Sequence, residues 1–236
     1  MAAVTAPAVV DCEGLSTRDV NLAIKRSIAD GAGVVDVQHP AARHALAVAI
    51  KSDVTLKFNG PVGWYGVGMN DGPHVVVRGN CGWGLAECQM RGIVEVHGHA
   101  GSGTAASIRG GLVYVAGDAG ARAGIAMKGG TLIVGGDAGY MSGFMMQRGT
   151  IIVCGDAADG LGDSMYEGRI FVGGTVASFG ADAEEREVTD QDRASLRDVL
   201  APYGIDADAI GFTKVESGRR LWNFDKKEAE IWKDAL

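Results

Sequence analysis

Basic residues are in the minority in this sequence. Its 22 lysines and arginines are outnumbered by 29 aspartates and glutamates, and the formal net charge is -7 at pH 7. Nonspecific binding to nucleic acid depends on a basic surface that displaces counterions from the phosphates. The charge balance therefore argues against a nucleic-acid partner.

Long apolar runs are also missing. No stretch approaches the roughly 18 apolar residues that a membrane span requires, and the alanine-rich start lacks the basic n-region of a signal peptide. We therefore expect a soluble, cytoplasmic protein without a membrane partner. With 47% hydrophobic residues among 236, the chain still has enough apolar surface for a sizeable core.

Cysteine is scarce, and the cysteines of the chain form no recognisable ligand set. Cys12, Cys81, Cys88 and Cys154 have neither the spacing of a metal site nor that of a disulfide framework. We expect them to be small buried residues of the core.

A glycine that returns every nineteen residues is the dominant positive feature of the sequence. These glycines frame six contiguous repeats without insertion, and they are Gly60, Gly79, Gly98, Gly117, Gly136, Gly155 and Gly174. A fixed period of this kind indicates stacked supersecondary units that share one core. A second glycine three residues later opens five of the six repeats, for example Gly120 and Gly139, and Ala158 takes its place in the sixth. We expect this second set to form sharp corners with a positive φ angle.

Each repeat ends in apolar residues two positions apart, such as Val94 and Val96. Alternation with period two indicates a strand. Nineteen residues are too few for a strand, a crossover helix and a return strand, which together need about 30. The sequence therefore predicts an all-β fold, a single-stranded parallel β-helix with one repeat per coil. Identical positions should stack inside it, for example in the column Met127, Met146 and Met165.

The flanks predict a small α/β N-terminal cap and a helical C-terminal tail. We divide the chain into a cap region over residues 1–59, six coils over 60–174, and a linker with tail over 175–236. The cap is expected to protect one end of the solenoid from edge-to-edge association.

Within the cap, Val20 and Ile24 lie on one face of a predicted helix that follows Ser16. A strand over residues 34–37, an alanine-rich helix after Pro40 and a strand over 54–58 should follow.

After the coils, residues 181–193 form an acidic stretch that we expect to be solvated. A helix is predicted over 192–200, ended by Pro202 and Gly204, and a short helix should begin at Asp225.

Few residues indicate chemistry. His97 and His99 lie two apart at a strand end, but no third ligand recurs beside them, so we expect no metal site. Asp118, Asp137 and Asp156 form a column in Gly-Asp-Ala corners. A calcium ladder is one interpretation, but turn aspartates that bind nearby backbone amides explain the column better. The sequence assigns no catalytic, cofactor-binding or metal-binding residue to this chain.

Two surface columns are better suited to protein contact. An aromatic column at one position of the repeat lies beside a basic ridge at another, and aromatic residues and arginine are enriched where proteins dock. An ordinary exposed surface is the alternative interpretation. The candidate interface residues are Trp64, Trp83 and Tyr140 in the aromatic column, Arg91, Arg109, Lys128 and Arg148 in the ridge, and Trp222 in the tail.

Three segments resemble the Gly-x-Gly-x-Gly domain that closes the large subunit of glutamate synthase. They are GNCGWGLAECQMRGIVEVHG, GGLVYVAGDAGARAGIAMKGGTLIVGGDAGYMSGFM and GDSMYEGRIFVGG. The likeness extends over nearly the whole chain. Because the domain stands alone and is followed by the tail sequence RRLWNF, it is most similar to the separate β-helix subunits of N-methylglutamate synthases in bacterial methylamine metabolism. The resemblance implies a right-handed β-helix, a hand that also follows the general rule for parallel connections.

The resemblance further implies that catalysis lies in two partner subunits. One would be a class II glutamine amidotransferase-like subunit with an N-terminal cysteine nucleophile, and the other an FMN-binding glutamate-synthase-like subunit with an iron–sulfur cluster. This chain has no cysteine beside Met1 and no cluster-spaced cysteines, so neither centre is carried over. The implied role is that of a noncatalytic docking subunit of a transferase complex that joins methylamine to glutamate and releases ammonia.

Two other functions remain open. The β-helix subunit of formylmethanofuran dehydrogenases, and that of related formyltransferase/hydrolase complexes, has the same type of repeat. A freestanding binding module would use the aromatic column to hold a glycan or a peptide. The RRLWNF tail and the final coil GDSMYEGRIFVGG fit the glutamate-synthase-like group better.

Overall fold

One mixed sheet dominates the computed structural model, which describes residues 7–219. Its strands, in chain order, are β1 Ala8–Asp11, β2 Val34–Gln38, β3 Thr55–Asn59, β4 Asp71–Val77, β5 Arg91–Val96, β6 Leu112–Val115, β7 Lys128–Val134, β8 Arg148–Val153, β9 Arg169–Val172, β10 Ala183–Arg186 and β11 Thr213–Ser217. The helices are α1 Thr17–Ala29 and α2 Asp190–Leu200, with 3₁₀ turns at Ala201–Tyr203 and Ala207–Ala209. Neither α1 nor α2 has the length and apolarity needed to cross a membrane.

The strands from β1 to β9 pair in parallel, and they form a β-solenoid of about seven turns, so the predicted parallel β-helix is confirmed. The register keeps the nineteen-residue period, with Val94 opposite Val113 and Val96 opposite Val115. These inward side chains are fully buried. The predicted interior methionines are at most 1% exposed, and they are Met127, Met146 and Met165.

The far side of each coil uses a backbone conformation that is rare in proteins. Residues at alternating positions have φ near +55°, for example 59° at Ala105 and 55° at Ser107. Ala105 N donates to Leu85 O of the preceding coil, and Ser107 N donates to Ile125 O of the following one, both over 2.8 Å. A left-handed residue other than glycine costs about 1–2 kcal/mol. The hydrogen bonds to both neighbouring coils stabilise this conformation.

Residues 41–49 do not form the alanine-rich helix that the sequence predicts. Ala45 and Ala49 have φ of 52° and 57°, and they belong to the far side of a coil. Ala45 N donates to Trp64 O over 2.8 Å and Ala49 N donates to Gly68 O over 2.9 Å. Alanine has the highest helix propensity of all residues, but hydrogen bonds between coils outweigh it here. The prediction of a helix in this segment is wrong.

The N-terminal elements extend the core beyond the first glycine repeat. Ser16 caps α1 by accepting the Asp19 backbone N–H over 3.2 Å, and Val20 and Ile24 of this helix are buried in the same core as the coils. Asn21 holds α1 against the far side, because its side chain binds backbone atoms of residues 45 and 47 over 2.8 Å. The predicted first helix is confirmed.

Two antiparallel strands close the other end of the sheet. β11 pairs with β9, and β10 pairs with β11. Val215 of β11 joins the core of the coils. The sequence did not indicate β10, which lies within the acidic stretch 181–193. This short strand carries Glu184, Glu185 and Arg186, and charged residues on an edge strand oppose the addition of another chain.

Helix α2 packs on the outer face of the sheet. Ile133, Ile152 and Phe171 are neighbours on β7, β8 and β9, and their outward side chains are at most 2% exposed because Leu196 and Leu200 of α2 cover them. The sequence predicted this helix correctly but did not predict where it packs. The segment after the coils is therefore part of the folded domain.

A buried carboxylate fixes α2 to the sheet. Asp192 is 2% exposed, and its two oxygens lie 3.1 Å from Arg169 Nη1 on β9 and 3.0 Å from Lys214 Nζ on β11. Thr189 donates its backbone N–H and its hydroxyl to the same carboxylate, over 3.0 and 2.8 Å. Burial alone would raise the pKa of Asp192, but the hydrogen bonds from Thr189 and Lys214 outweigh it and lower the pKa to about 2.

The glycines of the second set are required by the close approach of the coils. A Cβ atom at Gly139 would lie 2.6 Å from Ala121 N, and one at Gly120 would lie 2.7 Å from Ser102 N. Neither glycine has a positive φ. The expectation of left-handed corners at these positions is therefore wrong, and the space occupied by the preceding coil is the physical reason for glycine.

We expect Gly139→Val to destabilise the protein by about 1–3 kcal/mol or more, because the backbone of the preceding coil cannot move without disturbing its own hydrogen bonds. In a chain of this size the melting temperature should fall by about 2–4 °C for each kcal/mol. Thermal unfolding followed by circular dichroism measures the effect. Gly211→Val is the control, because a Cβ atom at Gly211 meets nothing within 4 Å. Equal melting temperatures in the two variants would contradict the explanation.

We expect Asp192→Asn to lower the free energy of unfolding by about 1–3 kcal/mol at neutral pH, because Lys214 and Arg169 lose a buried ionic partner. The pKa of about 2 in the folded protein lies below the ordinary value of 3.8, so this contribution is present above about pH 4 and is lost as the pH falls toward 2. The stability gap between wild type and variant, measured by urea unfolding, should therefore narrow in acid. Asp208→Asn, which removes an exposed pair with Arg197, should change little at either pH. A gap that does not depend on pH would be inconsistent with this role of Asp192.

Candidate docking surface

A ladder of side chains runs along the corner that follows each strand. Asp118 Oδ1 accepts the backbone N–H of Asp137 over 2.9 Å, Asp137 Oδ1 accepts that of Asp156 over 2.8 Å, and Asp156 Oδ1 accepts that of Thr175 over 2.7 Å. The hydrogen bond to Thr175 lowers the pKa of Asp156. The structure thus contains the hydrogen bonds to backbone amides that the sequence predicted for this column.

His99 occupies the same position of the ladder one coil earlier. Its Nδ1 accepts the backbone N–H of Asp118 over 2.9 Å, and its own backbone N–H donates to Asn80 Oδ1 over 2.9 Å. The same Nδ1 lies 3.2 Å from Asp118 Oδ2. Within residues 7–219, His97 and His99 belong to no group of three side chains that could bind a metal.

The nineteen-residue glycines make room for this ladder. A Cβ atom at Gly136 would collide with Asp118 Oδ1, and one at Gly155 would collide with Asp137 Oδ1. The carboxylate of one coil therefore occupies the space that a side chain at the glycine of the next coil would need. The column of nineteen-residue glycines and the column of aspartates therefore belong to one hydrogen-bonded ladder.

Three rings form a continuous stack at the corner, three positions after the aspartate column in the repeat. The centroids of His44 and Trp64 lie 4.7 Å apart with an interplanar angle of 10°, and those of Trp64 and Trp83 lie 5.4 Å apart with an angle of 16°. His44 Nδ1 also accepts the backbone N–H of Trp64 over 2.9 Å. Sequence reasoning missed His44 because twenty residues, not nineteen, separate it from Trp64.

The glycine strip lets these rings lie flat against the coils. A Cβ atom at Gly82 would be 2.5 Å from Trp64 Cδ1, and one at Gly101 would be 2.5 Å from Trp83 Cδ1. Although the rings rest on the backbone, Trp64 is 46% exposed and Trp83 is 56% exposed. The stack is therefore rigidly placed and still open to solvent.

Tyr140 shares the column but not the stack. Ser102 and Ala121 occupy the two coils between Trp83 and Tyr140 at the same position of the repeat. At about 4.8 Å per coil, the two rings are separated by about 14 Å along the axis. The column therefore contains a notch with small side chains between two exposed rings.

Only part of the predicted basic ridge is free of acidic partners. Arg91 binds two carboxylates, with Nη1 2.7 Å from Asp53 Oδ1 and Nε 3.0 Å from Asp71 Oδ1. Both hydrogen bonds raise the pKa of Arg91. Arg148 Nε lies 3.5 Å from Glu167 Oε2. Arg109 and Lys128 have no ion pair within the described part of the chain.

The ridge borders an open groove of about 500 Å³. Its lining consists of Arg109, Lys128, Met145, Gln147, Arg148, Tyr166 and Glu167. A second groove of about 360 Å³ shares Arg148, Tyr166 and Glu167 with the first and continues to residues 216–219. We call the two together the corner groove. Arg91 does not line it.

Cys12 and Cys81 are buried in the core as expected, but Cys88 and Cys154 are only half-buried, so the expectation that all four are buried is wrong for these two. All four are free, and burial raises the pKa of Cys81 to about 12 and that of Cys154 to about 11. Thiols with such pKa values are poor nucleophiles at neutral pH. No cysteine belongs to a potential metal-binding group among residues 7–219.

One exposed group of possible metal ligands lies in the N-terminal cap. Asp11 Oδ1 is 3.0 Å from His39 Nδ1, and Glu13 Oε1 is 4.0 Å from the same nitrogen. The hydrogen bond to Asp11 raises the pKa of His39. The side chains are 52–75% exposed and already satisfy one another, which is a sufficient explanation of the arrangement. Trp222, the remaining candidate, lies outside the described residues.

Comparison with known proteins gives one local match. No family model matches the chain. Over 59 residues the chain is 48% identical to Protein GlxC of Rhizobium meliloti (strain 1021), and this stretch covers 25% of the chain and 26% of that protein. The match thus spans about a quarter of each protein. It supports the glutamate-synthase-like resemblance without selecting a particular member.

We expect Asp137→Ala to lower the melting temperature by about 2–4 °C, the shift that loss of one ordinary hydrogen bond produces in a chain of this length. Asp137→Asn should remain close to wild type, because its side-chain oxygen can still accept the Asp156 backbone N–H. Millimolar calcium should change neither melting curve. Calcium-dependent stabilisation of the wild type would instead favour a calcium ladder.

Proposed function

We propose that this protein is a noncatalytic docking subunit of a glutamate-synthase-like complex. Its partners would be a class II glutamine amidotransferase-like subunit and an FMN-binding subunit with an iron–sulfur cluster. The reaction of the complex would be that of an N-methylglutamate synthase, from methylamine and glutamate to N-methylglutamate and ammonia. The local likeness to Protein GlxC and the three segments named above support the broader group, and the tail sequence RRLWNF supports the specific one.

The observation that carries the docking role is the exposed aromatic stack. Rings that stack on one another and on backbone glycines lose little conformational freedom when a partner covers them, which lowers the entropic cost of binding. Tryptophan and tyrosine are also the residues that most often dominate the energy of protein interfaces. Tyr65 and Met69, 55% and 58% exposed, lie in the same coil as Trp64 and extend the apolar surface.

The notch beside Trp83 suggests how a partner would be recognised. Ser102 leaves the outer side of the Trp83 ring uncovered where the next ring of the column would lie. A planar side chain of the partner, such as arginine or an aromatic residue, could continue the stack at this point. A rigid row of aromatic side chains is well suited to holding two large subunits in fixed positions relative to each other.

Purification from the native source tests the assignment. Co-elution with a flavin-containing subunit and an amidotransferase-like subunit is the expected result. Co-elution with formyl-transferring subunits would favour the second type of complex. Elution of the chain alone, together with binding to glycans or peptides, would favour a freestanding binding module and contradict the proposal.

We expect Trp83→Ala to weaken association with the partner subunits by about thirtyfold, because truncation of a central interface tryptophan commonly costs about 2 kcal/mol. Affinity can be measured by biolayer interferometry with the co-purified subunits. Ile93→Ala is the matched control, since Ile93 is an exposed apolar residue, 38% accessible, on the strand face instead of the aromatic column. Equal losses in both variants, or none in Trp83→Ala, would remove the column from the interface.

A further inference from the structure

The corner groove is basic in a protein that is acidic overall. The chain has a net charge of -7, yet five cationic side chains and only two carboxylates line the groove. Both carboxylates already have partners, because Glu167 Oε2 lies 3.5 Å from Arg148 Nε and Glu216 Oε1 lies 2.9 Å from Lys214 Nζ. The five cations are Arg109, Lys128, Arg148, Arg169 and Arg219. The groove therefore attracts anions.

Three of these cations lie on successive coils. Lys128 is directly opposite Arg148 in the register of β7 and β8, and Arg109 occupies the repeat position of Lys128 one coil earlier. At about 4.8 Å per coil, the backbone positions of this row span about 10 Å. Like charges at such distances repel one another unless anions lie between them. Arg109 and Lys128 have no ion pair among residues 7–219, so the described part of the chain leaves their charges uncompensated.

An earlier coil shows how the chain neutralises such a residue. Arg91 lies at the same corner, and it binds Asp53 over 2.7 Å and Asp71 over 3.0 Å, both from preceding coils. One coil before Arg109, the same repeat position holds Met90 instead of a carboxylate. The acidic residues that accompany Arg91 are therefore missing beside the row.

The length and lining of the groove favour a peptide over a small anion. From Tyr166 the groove passes Gln147 and Lys128 to Arg109, three coils away at the same position of the repeat. Three coil spacings amount to about 14 Å, a distance that about four or five extended residues cover. Met145, 40% exposed, adds an apolar contact beside the charges. A peptide with acidic side chains around an apolar one matches both features.

We infer that the corner groove binds an acidic segment of a partner protein. Carboxylates of that segment pair with Arg109 and Lys128, and an apolar side chain packs on Met145. Clusters of arginine commonly recognise acidic motifs, and arginine and methionine are enriched at protein interfaces. A nucleic acid fits less well, because its long charged backbone would also meet the acidic remainder of the surface. The inference rests on the proposed docking function and adds a second contact surface to the aromatic stack.

Fluorescence anisotropy with two labelled peptides tests the groove in the full-length chain, purified without partners. The acidic probe has the sequence Asp-Glu-Phe-Asp-Glu, and the neutral probe has the sequence Asn-Gln-Phe-Asn-Gln. The acidic probe should bind at least about tenfold more tightly, since it forms two or more ion pairs that the neutral probe lacks. Arg109→Glu and Lys128→Glu should each weaken its binding by about fivefold or more. Arg109→Gln, which introduces no new charge, should cause a smaller loss in the same direction.

Arg122→Glu is the matched control. Arg122 is an exposed residue in the same coil as Lys128, has no ion pair within the described part of the chain and does not line the groove. This variant changes the net charge as much as Arg109→Glu does and should leave binding of the acidic probe unchanged. Melting curves followed by circular dichroism should show that all of these variants are folded.

Three results would overturn the inference. They are equal affinity for the two probes, equal losses in Arg109→Glu and Arg122→Glu, and tighter binding of a thymidine oligonucleotide than of the acidic probe. The last of these would indicate a nucleic-acid ligand.

Affinity for the co-purified subunits separates this inference from the proposed function. Arg109→Glu should weaken that association by about fivefold or more, whereas Arg122→Glu should not. A loss in Trp83→Ala without one in Arg109→Glu would remove the groove from the interface and leave the proposed function intact. If no subunit co-purifies, the proposed function fails, while binding of the acidic probe that depends on Arg109 would still support an acidic ligand for the groove.

Discussion

The spacing of about 4.8 Å between hydrogen-bonded coils is the constraint on which the rest of this structure depends. At that distance, a Cβ atom at Gly139 would overlap the backbone of the preceding coil, and one at Gly136 would overlap the carboxylate of Asp118. Both glycine columns follow from this lack of space. The space left by the first column admits the carboxylate that binds the next amide, so the stacking that demands glycine also supplies the ladder that stabilises the corner.

The same spacing governs the outer surface. Side chains at equal positions in successive coils lie one above another, so a ring recurring with the period becomes a stack, as Trp64 and Trp83 do. Repetition thus converts single residues into extended rows with fixed separations. Such rows suit a protein that holds partners in register. The functional proposal depends on this property and not on any reactive group.

Regularity ends where other structural elements meet the coils. At the C-terminal end, β11 reverses direction against β9, and the buried Asp192 of α2 joins β9 and β11 through ion pairs with Arg169 and Lys214. A buried carboxylate is favourable only because four donors surround it, two from Thr189 and one each from Arg169 and Lys214. This arrangement also directs the chain to the corner groove. The contacts of Asp192 therefore hold together the elements that close this end of the solenoid.

The sequence by itself determined the coil, its period, its inward columns such as Val94 and Val113, and the helices α1 and α2, because period-two alternation and helix caps are local signals. It also identified Trp64 and Trp83 as members of one exposed column. The left-handed backbone of Ala45 and Ala49, the entry of His44 into the stack and the pairing of Arg91 with Asp53 could not be derived in this way. Only the tertiary structure decided them, because each depends on atoms about twenty or more residues away that are brought within contact distance by the stacking of the coils.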